Sequence, residues 1–384
     1  MSEFIFQTTP TIINALGCTS RLGEFAAELG MKRVLLVSDA MLAKIGLLEK
    51  AVAGLRKSGM EVEIFADVLA DPPVSNVMEA LQLAQDFGAD GVVGFGGGSS
   101  MDVAKLVAFL CCSSQSLPDI YGVGMAKGKR LPLIQVTTTA GTGSEVTPIA
   151  IVTTGESEKK GVVSPQLLPD IAMLDAELTT GLPPRVTAMT GIDAMVHAIE
   201  AYTTKLKKNP ISDTLARQAL KLLFENIRPV MEDGNNLEAR SQMLVGAMLA
   251  GQAFANAPVG AVHALAYPIG GQYHVPHGLS NSLVLPHVMR FNLPVASKEY
   301  AELARELFDN LGSVTDLAAG AELISALEQL TLDVGLETRL REVGIEEQAL
   351  SQLAEAAMLQ SRLLVNNARD ITYEDVLQIY TDAW

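Results

Sequence analysis

The chain has 384 residues, of which 48% are hydrophobic and 19% are charged, so it can bury large cores and wholesale disorder is excluded. At roughly 100–200 residues per domain, this length predicts two domains. The 28 Lys and Arg against 44 Asp and Glu give a formal net charge of −16. That charge repels phosphate backbones and anionic lipid surfaces, so we expect neither nucleic-acid nor membrane binding.

The cysteines and the first residues bear on the cellular compartment. The three cysteines, Cys18, Cys111 and Cys112, show no Cys-x-x-Cys spacing, which predicts neither a disulfide framework nor a cysteine zinc site. The N-terminus has no basic region before a long apolar stretch, and no apolar run approaches the roughly 18 residues of a membrane span. We therefore expect a cytoplasmic protein without signal peptide or transmembrane helix.

In the first half of the chain, short β-rich runs alternate with helical patterns. The strand-like runs lie at residues 33–37, 62–65, 91–95, 133–136, 149–152 and 171–174. Helical patterns lie between them at 42–55, 77–87 and 103–110. This alternation predicts βαβ units around a mostly parallel sheet.

After Leu182-Pro183-Pro184 the pattern changes, and strand signals nearly vanish. Helix-length amphipathic windows follow at 185–202, 212–225, 237–255, 298–311, 320–334, 347–361 and 373–382. Because a proline pair resists continuing a helix from the preceding side, we place a domain boundary there. The prediction is an α/β domain at residues 1–183 and an all-α domain at residues 184–384.

A glycine-rich loop follows the strand at 91–95 and precedes a helix. It reads Gly96-Gly97-Gly98-Ser99-Ser100-Met101-Asp102. Consecutive glycines let the backbone approach a ligand, and a helix N-terminus offers N–H groups to a pyrophosphate. The pattern is not Gly-x-Gly-x-x-Gly, so a tight turn without a ligand is the alternative; Ser99 or Ser100 is the expected N-cap.

Two further polar features follow strands. Five hydroxyls and two glycines occur in the eight residues from Thr137 to Ser144, and such a loop suits recognition of phosphate and sugar oxygens. Asp39 comes directly after the strand at 33–37 and Ser38. A carboxylate there can accept hydrogen bonds from ribose hydroxyls, or it can cap the following helix.

Four of the five histidines lie between residues 263 and 287. The fifth, His197, follows Asp193 by four residues, so both side chains project from one face of a helix and can share a metal ion. Their neighbours are apolar almost all round, which predicts a buried helix, and a buried carboxylate needs a partner or a cation. His263, His274 and His277 are the other candidate ligands.

These motifs, in their order and spacing along the chain, resemble those of the iron-containing (group III) alcohol dehydrogenases. The resemblance covers essentially the whole chain. It is carried by the loops at 96–102 and 138–145, the helix at 191–200, the turn Pro276-His277-Gly278 and the C-terminal residues 370–375. The resemblance implies an N-terminal α/β dinucleotide-binding domain and a helical metal-binding domain, with the active site in the cleft between them. It also implies NAD and Fe²⁺ as cofactors, with Zn²⁺ as an alternative ion.

Carried over by motif, the resemblance implies a metal site and a cofactor site. The implied metal ligands are Asp193, His197, His263 and His277. The implied cofactor contacts are Asp39, Gly96, Gly97, Gly98, Ser99, Asp102, Thr138, Thr139 and Thr142, with Lys160 and Leu178 as looser matches. Many family members carry another histidine where Tyr267 stands here, which leaves open whether Tyr267 or His274 relays protons.

We therefore expect a metal-dependent oxidoreductase that transfers hydride between NAD(H) and a small primary alcohol or diol and its aldehyde. Asp39 favours NAD over NADP, and Phe254 favours a small, uncharged substrate. One alternative is a dehydroquinate-synthase-like lyase, which needs basic residues near the histidines, where few occur. The other is a non-catalytic metal- or nucleotide-binding protein. The particular alcohol, the ion loaded and the oligomeric state stay open, a homo-oligomer included.

Overall fold

The computed structural model of the protein describes residues 3–155 and 158–384. The chain divides into an α/β unit, Gln7–Gly181, and a helical unit made of residues 3–6 and 182–384. The predicted fold class, an α/β part with a parallel sheet followed by a helical part, is confirmed.

The α/β unit contains strands and helices in alternation. The strands are β1 (Thr11–Asn14), β2 (Arg33–Val37), β3 (Glu61–Phe65), β4 (Gly91–Gly96), β5 (Gly122–Val123), β6 (Leu133–Thr137), β7 (Ile149–Thr154), β8 (Glu158–Val163) and β9 (Ile171–Leu174). The helices are α1 (Leu22–Glu28), α2 (Ala40–Lys44), α3 (Glu49–Lys57), α4 (Val74–Phe87) and α5 (Gly98–Leu110).

Six of these strands form one parallel sheet in the order β1-β9-β6-β4-β2-β3. Its central strands β4, β6 and β9 are buried along their whole length, as expected for a parallel sheet covered on both faces. The chain runs outward from β2 to β3 and then returns past β2 to β4. The carboxyl ends of β2 and β4 are therefore a topological switch point, where open α/β sheets bind ligands.

Three local expectations differ from the structure. The helix predicted at 42–55 is two helices, α2 and α3, because Gly46 between them adopts φ +76°, a left-handed conformation that ends a helix. Neither Ser99 nor Ser100 caps α5, whose N-cap is Gly97. The strands β1, β5 and β8 were not predicted, and β5, β7 and β8 form a separate small sheet.

One carboxylate ties the beginning of the α/β unit to its end. Asp175, directly after β9, is 1% exposed. It accepts hydrogen bonds from the backbone N–H of Gly17 (3.0 Å) and from both the N–H (3.1 Å) and the hydroxyl (2.7 Å) of Thr19. These bonds fasten the segment after β1 beside the last strand of the unit, next to the β1–β9 pair.

A buried lysine joins α5 to the loop that follows β6. The Lys105 side chain is fully buried, and its Nζ donates to Ser144 Oγ (2.6 Å), Thr147 Oγ1 (3.2 Å) and the Ile149 carbonyl (2.7 Å). It lies 3.6 Å from Asp102 Oδ1, which accepts from Ser144 Oγ (2.6 Å). Burial lowers the pKa of Lys105 to about 8 and raises that of Asp102.

The first helix of the helical unit begins at the proline pair. Pro183 is the N-cap and Pro184 the first residue of its first helix, positions where the missing N–H costs nothing. The helices are α6 (Pro184–Thr203), α7 (Pro210–Glu232), α8 (Leu237–Asn256), α9 (Ala261–Tyr273), α10 (His277–Leu307), α11 (Asp316–Asp333), α12 (Leu350–Met358), α13 (Ser361–Leu364) and α14 (Tyr373–Ala383).

The structure adds two helices, α9 and the short α13, to those predicted in this unit and lengthens another. The helix α9 was not predicted, and the window at 298–311 is mostly the end of α10, which is 31 residues long and bends at Ala296. Helix α6 is buried nearly all round from Gly191 to Tyr202, as its apolar surroundings predict.

Among residues 3–155 and 158–384, no single helix is long and apolar enough to cross a membrane. Helices α8 and α9 reach that length and apolarity only when taken together, and the pair bends by 106° at the break between them.

We predict that Lys105→Met lowers the free energy of unfolding by about 3–5 kcal/mol in urea titrations. The substitution leaves the Asp102 carboxylate, whose side chain is only 14% exposed, without its counter-charge. Lys50 serves as the control, since its pair with Glu177 (2.9 Å) is solvent-exposed, with 66% of the lysine side chain accessible. Lys50→Met should cost at most about 1 kcal/mol. Equal losses in the two variants would contradict the structural role of Lys105.

Candidate metal and cofactor sites

The predicted cofactor loops lie side by side at the carboxyl ends of adjacent strands. Gly96, the last residue of β4, pairs with Thr137, the last residue of β6. The backbone N–H of Thr138 donates to the Gly96 carbonyl (3.1 Å). Strand pairing thereby brings the glycine loop and the threonine loop together, as a phosphate- and sugar-binding site requires.

The glycine loop has no space for a side chain at two of its positions. A Cβ on Gly98 would lie 2.9 Å from Thr142 Cγ2, and one on Gly96, at φ +148°, would lie 2.7 Å from Ser100 Oγ. Gly97 offers no side chain to cap α5, so the first N–H groups of this 13-residue helix are open to an anion. Thr139 lies against Gly97, 3.7 Å from its ideal Cβ position.

Asp102 and Asp39 each have structural hydrogen bonds. Asp102 accepts from Ser144 Oγ and from the Ile151 N–H (2.9 Å). Asp39 lies at the end of β2, at the switch point, and one of its oxygens, Oδ1, accepts from the N–H groups of Met41 (2.9 Å) and Leu42 (3.0 Å). Asp39 thus caps α2.

The remaining predicted cofactor residues are less closely grouped. Ser99 lies half-buried in the first turn of α5. Lys160, on β8, has its Nζ 3.5 Å from Glu158 Oε2 and 5.7 Å from the centre of the Tyr121 ring. Leu178 is buried in the apolar core of the α/β unit. The structure therefore brings together the glycine and threonine loops, with Lys160 and Leu178 placed by separate contacts.

In the helical unit, three helices contribute the predicted metal ligands. Helix α6 carries Asp193 and His197 one turn apart, α9 carries His263 in its first turn, and His277 is the first residue of α10. Asp193, His197 and His263 are buried, whereas 40% of the His277 side chain is exposed.

Donor atoms of Asp193, His263 and His277 all lie within 4.8 Å of one another. The distance from His277 Nε2 to Asp193 Oδ1 is 3.6 Å. One carboxylate and imidazole nitrogens on rigid helices suit Fe²⁺ or Zn²⁺. The donor chemistry of these residues therefore fits the divalent ion that the sequence predicts.

His197 lies beside this trio without being one of the three. Its ring stacks on His263, with centroids 4.8 Å apart, and on Phe254 of α8, with centroids 4.3 Å apart. Phe254 thus forms an apolar wall against the histidine cluster.

The two residues considered for proton relay lie in different surroundings. The Tyr267 ring is 5.8 Å from that of His277, and burial raises the pKa of its phenol, which keeps the proton available for hydrogen bonding at neutral pH. His274 is exposed and ends α9 in a left-handed conformation, φ 54°.

Two residues at the cluster were not assigned from sequence. Asn281 Nδ2 donates to Asp193 Oδ1 (2.6 Å) and lies 3.4 Å from His263 Nε2 and 3.3 Å from His277 Nε2. Glu200 Oε2 lies 2.6 Å from His263 Nδ1. A helical spacing could have indicated both, since Asn281 is one turn beyond His277 and Glu200 two turns beyond Asp193.

The surroundings of Asp193 keep its carboxylate ionised. Burial alone would raise the pKa of this group, but His197, His277 and His263, together with the Asn281 amide, lower it below its ordinary value. A divalent cation bound to the surrounding nitrogen donors would neutralise this buried negative charge.

Comparison with known proteins identifies the family of the chain. Residues 9–176 match the iron-containing alcohol dehydrogenase family, and residues 187–384 match the C-terminal domain of the Fe-containing alcohol dehydrogenase family. The chain belongs to the iron-containing alcohol dehydrogenase family. The predicted class, an oxidoreductase of this family, is confirmed, which favours the dehydrogenase over the lyase and the non-catalytic alternatives.

Individual relatives match over nearly the full length. Long-chain-alcohol dehydrogenase 1 of Geobacillus thermodenitrificans is 39% identical over 371 residues, which cover 96% of this chain and 93% of that protein. The crystal structure of a 1,3-propanediol oxidoreductase superposes with a TM-score of 0.97 at 35% identity and covers 100% of both chains. Sulfoacetaldehyde reductase from Bifidobacterium kashiwanohense, in complex with NAD⁺, gives 0.89 at 29% identity, covering 100% of this chain and 99% of that one.

We predict that Gly278→Ala weakens binding of a divalent ion by about tenfold or more. A Cβ at this position would lie 2.2 Å from the Met189 carbonyl oxygen, so the start of α10 must move away from α6 and carry His277 away from Asp193. Chelator competition measures the affinity. Gly312→Ala is the control, because its Cβ would meet nothing within 4 Å; similar affinities in both variants would contradict this packing constraint.

Proposed function

We propose that the protein is a metal-dependent dehydrogenase that transfers hydride between NAD(H) and a small primary alcohol or diol and its aldehyde. The observation that carries the proposal is the cluster of Asp193, His263 and His277 donor atoms in the helical unit of a chain that belongs to this family. The two glycine- and threonine-rich loops of the α/β unit support a dinucleotide as the second component.

In this proposal Asp193, His197, His263 and His277 hold the ion, and Fe²⁺ is the preferred one. A divalent ion supplies Lewis-acid polarisation of the substrate oxygen. Zn²⁺ stands above Fe²⁺ in the Irving–Williams series, so purified protein is expected to carry zinc where iron is scarce.

The chain's own residues bind and orient the substrate. The Phe254 ring beside His197 presents an apolar surface, which favours a small, uncharged carbon chain and excludes water from that side. Tyr267, whose phenol stays protonated, can donate a hydrogen bond near His277. The relatives named above act on substrates as different as long-chain alcohols and 1,3-propanediol, so the substrate itself is best identified with a panel.

The glycine and threonine loops are proposed to bind the pyrophosphate and sugars of NAD(H). Gly96, Gly97 and Gly98 allow close backbone approach, and the N-terminus of α5 offers N–H groups. Thr138, Thr139 and Thr142 line the neighbouring loop. Lys160 and Leu178 are proposed as outer contacts of the cofactor.

We also propose a cytoplasmic location. Cys18, Cys111 and Cys112 are free thiols, and unpaired cysteines suit a reducing compartment.

The proposal is tested by NADH oxidation with a panel of short aldehydes, using protein reconstituted with Fe²⁺ or Zn²⁺. We expect His263→Ala to lose most of its bound ion and more than about 100-fold in kcat/KM. His287→Gln, outside the donor cluster, is the matched control and should keep both. Full ion content and turnover in His263→Ala would remove His263 from the site; zinc-loaded protein as active as iron-loaded protein would end the preference for iron.

Cofactor preference is tested at Asp39. A carboxylate next to a 2′-phosphate repels it, and with screening the discrimination against NADP is about 1–3 kcal/mol, or roughly 10- to 100-fold. Asp39→Asn keeps a side-chain oxygen to cap α2 but removes the charge, so the ratio of kcat/KM for NAD to that for NADP should fall by this factor. A ratio that does not change in Asp39→Asn would leave Asp39 as a helix cap alone.

A further inference from the structure

Glu200 lies on the same face of α6 as Asp193 and His197, two turns after Asp193. It is 6% exposed, and both of its carboxylate oxygens have partners. Oε1 accepts from the Val262 N–H (2.7 Å), and Oε2 lies 2.6 Å from His263 Nδ1. A buried carboxylate thus contacts two successive residues of α9.

The contact with Glu200 selects one tautomer of His263. A carboxylate has acceptor atoms only, so a hydrogen bond at 2.6 Å requires the proton on Nδ1. Nε2 of a neutral imidazole then carries the lone pair. Nε2 is also the atom that lies near Asn281.

Asn281 indicates the same tautomer independently. Its Nδ2 donates to Asp193 Oδ1 (2.6 Å), and because an ionised carboxylate cannot donate, the orientation of the amide is fixed. The same NH₂ group lies 3.4 Å from His263 Nε2. An N–H donor at this position is compatible with a lone pair on Nε2 and would oppose a proton there.

Glu200 also fixes the start of α9. The N-cap of this helix is Gly260, which has no side chain for capping. The Glu200 carboxylate accepts one of the first-turn N–H groups instead, and a negative charge at a helix N-terminus is favourable. His263 therefore has both its ring and its backbone positioned by the same side chain.

We propose that Glu200 is a positioning residue that holds His263 as the Nδ1-protonated tautomer, with Nε2 ready to bind the divalent ion. The inference rests on the metal site of the proposed function, and it does not depend on the alcohol or on NAD(H). Carboxylates that orient ligand histidines typically contribute 10- to 100-fold in metal affinity.

Glu200→Gln separates this role from simple packing. Glutamine keeps the size of the side chain, but it has one acceptor oxygen and one NH₂ group. Its single oxygen can take only one of the two carboxylate-oxygen positions, the one that faces the Val262 N–H or the one that faces His263 Nδ1. When the NH₂ group faces Nδ1, the imidazole proton moves to Nε2 and blocks the metal-binding nitrogen.

The experiment uses the full-length protein labelled with ¹⁵N-histidine, first without metal. The wild type should show His263 protonated at Nδ1 and unprotonated at Nε2, assigned by loss of the signal in His263→Ala. Glu200→Gln should shift His263 towards Nε2 protonation. It should also bind Zn²⁺ about 10- to 100-fold more weakly in chelator competition, with unchanged NADH binding.

Tyr380→Phe is the control for a structural effect on α9. The Tyr380 hydroxyl donates to the Leu265 carbonyl of the same helix (2.6 Å) and is buried. Its removal should lower the Tm while leaving the His263 tautomer unchanged and Zn²⁺ affinity within about twofold.

The possible results distinguish this inference from the proposed function. A wild-type His263 protonated at Nε2, or a Glu200→Gln variant with wild-type tautomer and Zn²⁺ affinity, overturns the role of Glu200; the wild-type measurement decides even if the variant does not fold. A protein that binds Zn²⁺ through His263 in this tautomer but oxidises no alcohol overturns the proposed activity and leaves the positioning role intact.

Discussion

Asp193 keeps a negative charge while it is almost completely removed from water, and the centre of the helical unit is arranged around this requirement. Only 2% of the residue is exposed. Three histidines and the Asn281 amide lower its pKa, and they come from three different helices. An uncompensated buried charge is costly in free energy. The helices α6, α9 and α10 therefore have to pack so that their side chains stabilise the Asp193 carboxylate. A bound cation would add to the same compensation.

The α/β unit also contains a carboxylate that is largely removed from water. There the charge of the partly buried Asp102 is compensated inside the protein by Lys105 and Ser144. The network connects α5 with the threonine loop. The glycine loop and the threonine loop are thus held together by a polar contact as well as by strand pairing.

The fold class and most of the elements can be predicted from the sequence. Apolar runs indicate the buried parallel strands, and apolar residues on nearly every side of α6 indicate a buried helix. Helix α9 and the first half of α10 were missed since Pro268, Pro286 and Pro294 lie inside them; prolines usually end helices, and here tertiary packing overrides that tendency. Residue types predict a metal site of Asp193 and three histidines, and the structure places donor atoms of Asp193, His263 and His277 within 4.8 Å of one another. Glu200 and Asn281 lie at helical spacing from Asp193 and His277, which places them on the same helix faces. Their contacts with His263 and Asp193 span 63 and 88 residues of the chain, so local spacing does not identify these partners.

The pairing of β1 with β9 has a consequence for biosynthesis. Thr11 is aligned with Ile171, and Asp175 fastens the segment after β1 from the other end of the unit. At about 5–20 residues per second of translation, roughly ten to thirty seconds separate the appearance of the two strands. In the last part of that interval, after β6 has emerged and before β9 has, the nascent sheet has an unpaired edge at β6, and such edges associate with other chains. The six-stranded sheet therefore cannot be completed before β9, which ends at Leu174, has emerged.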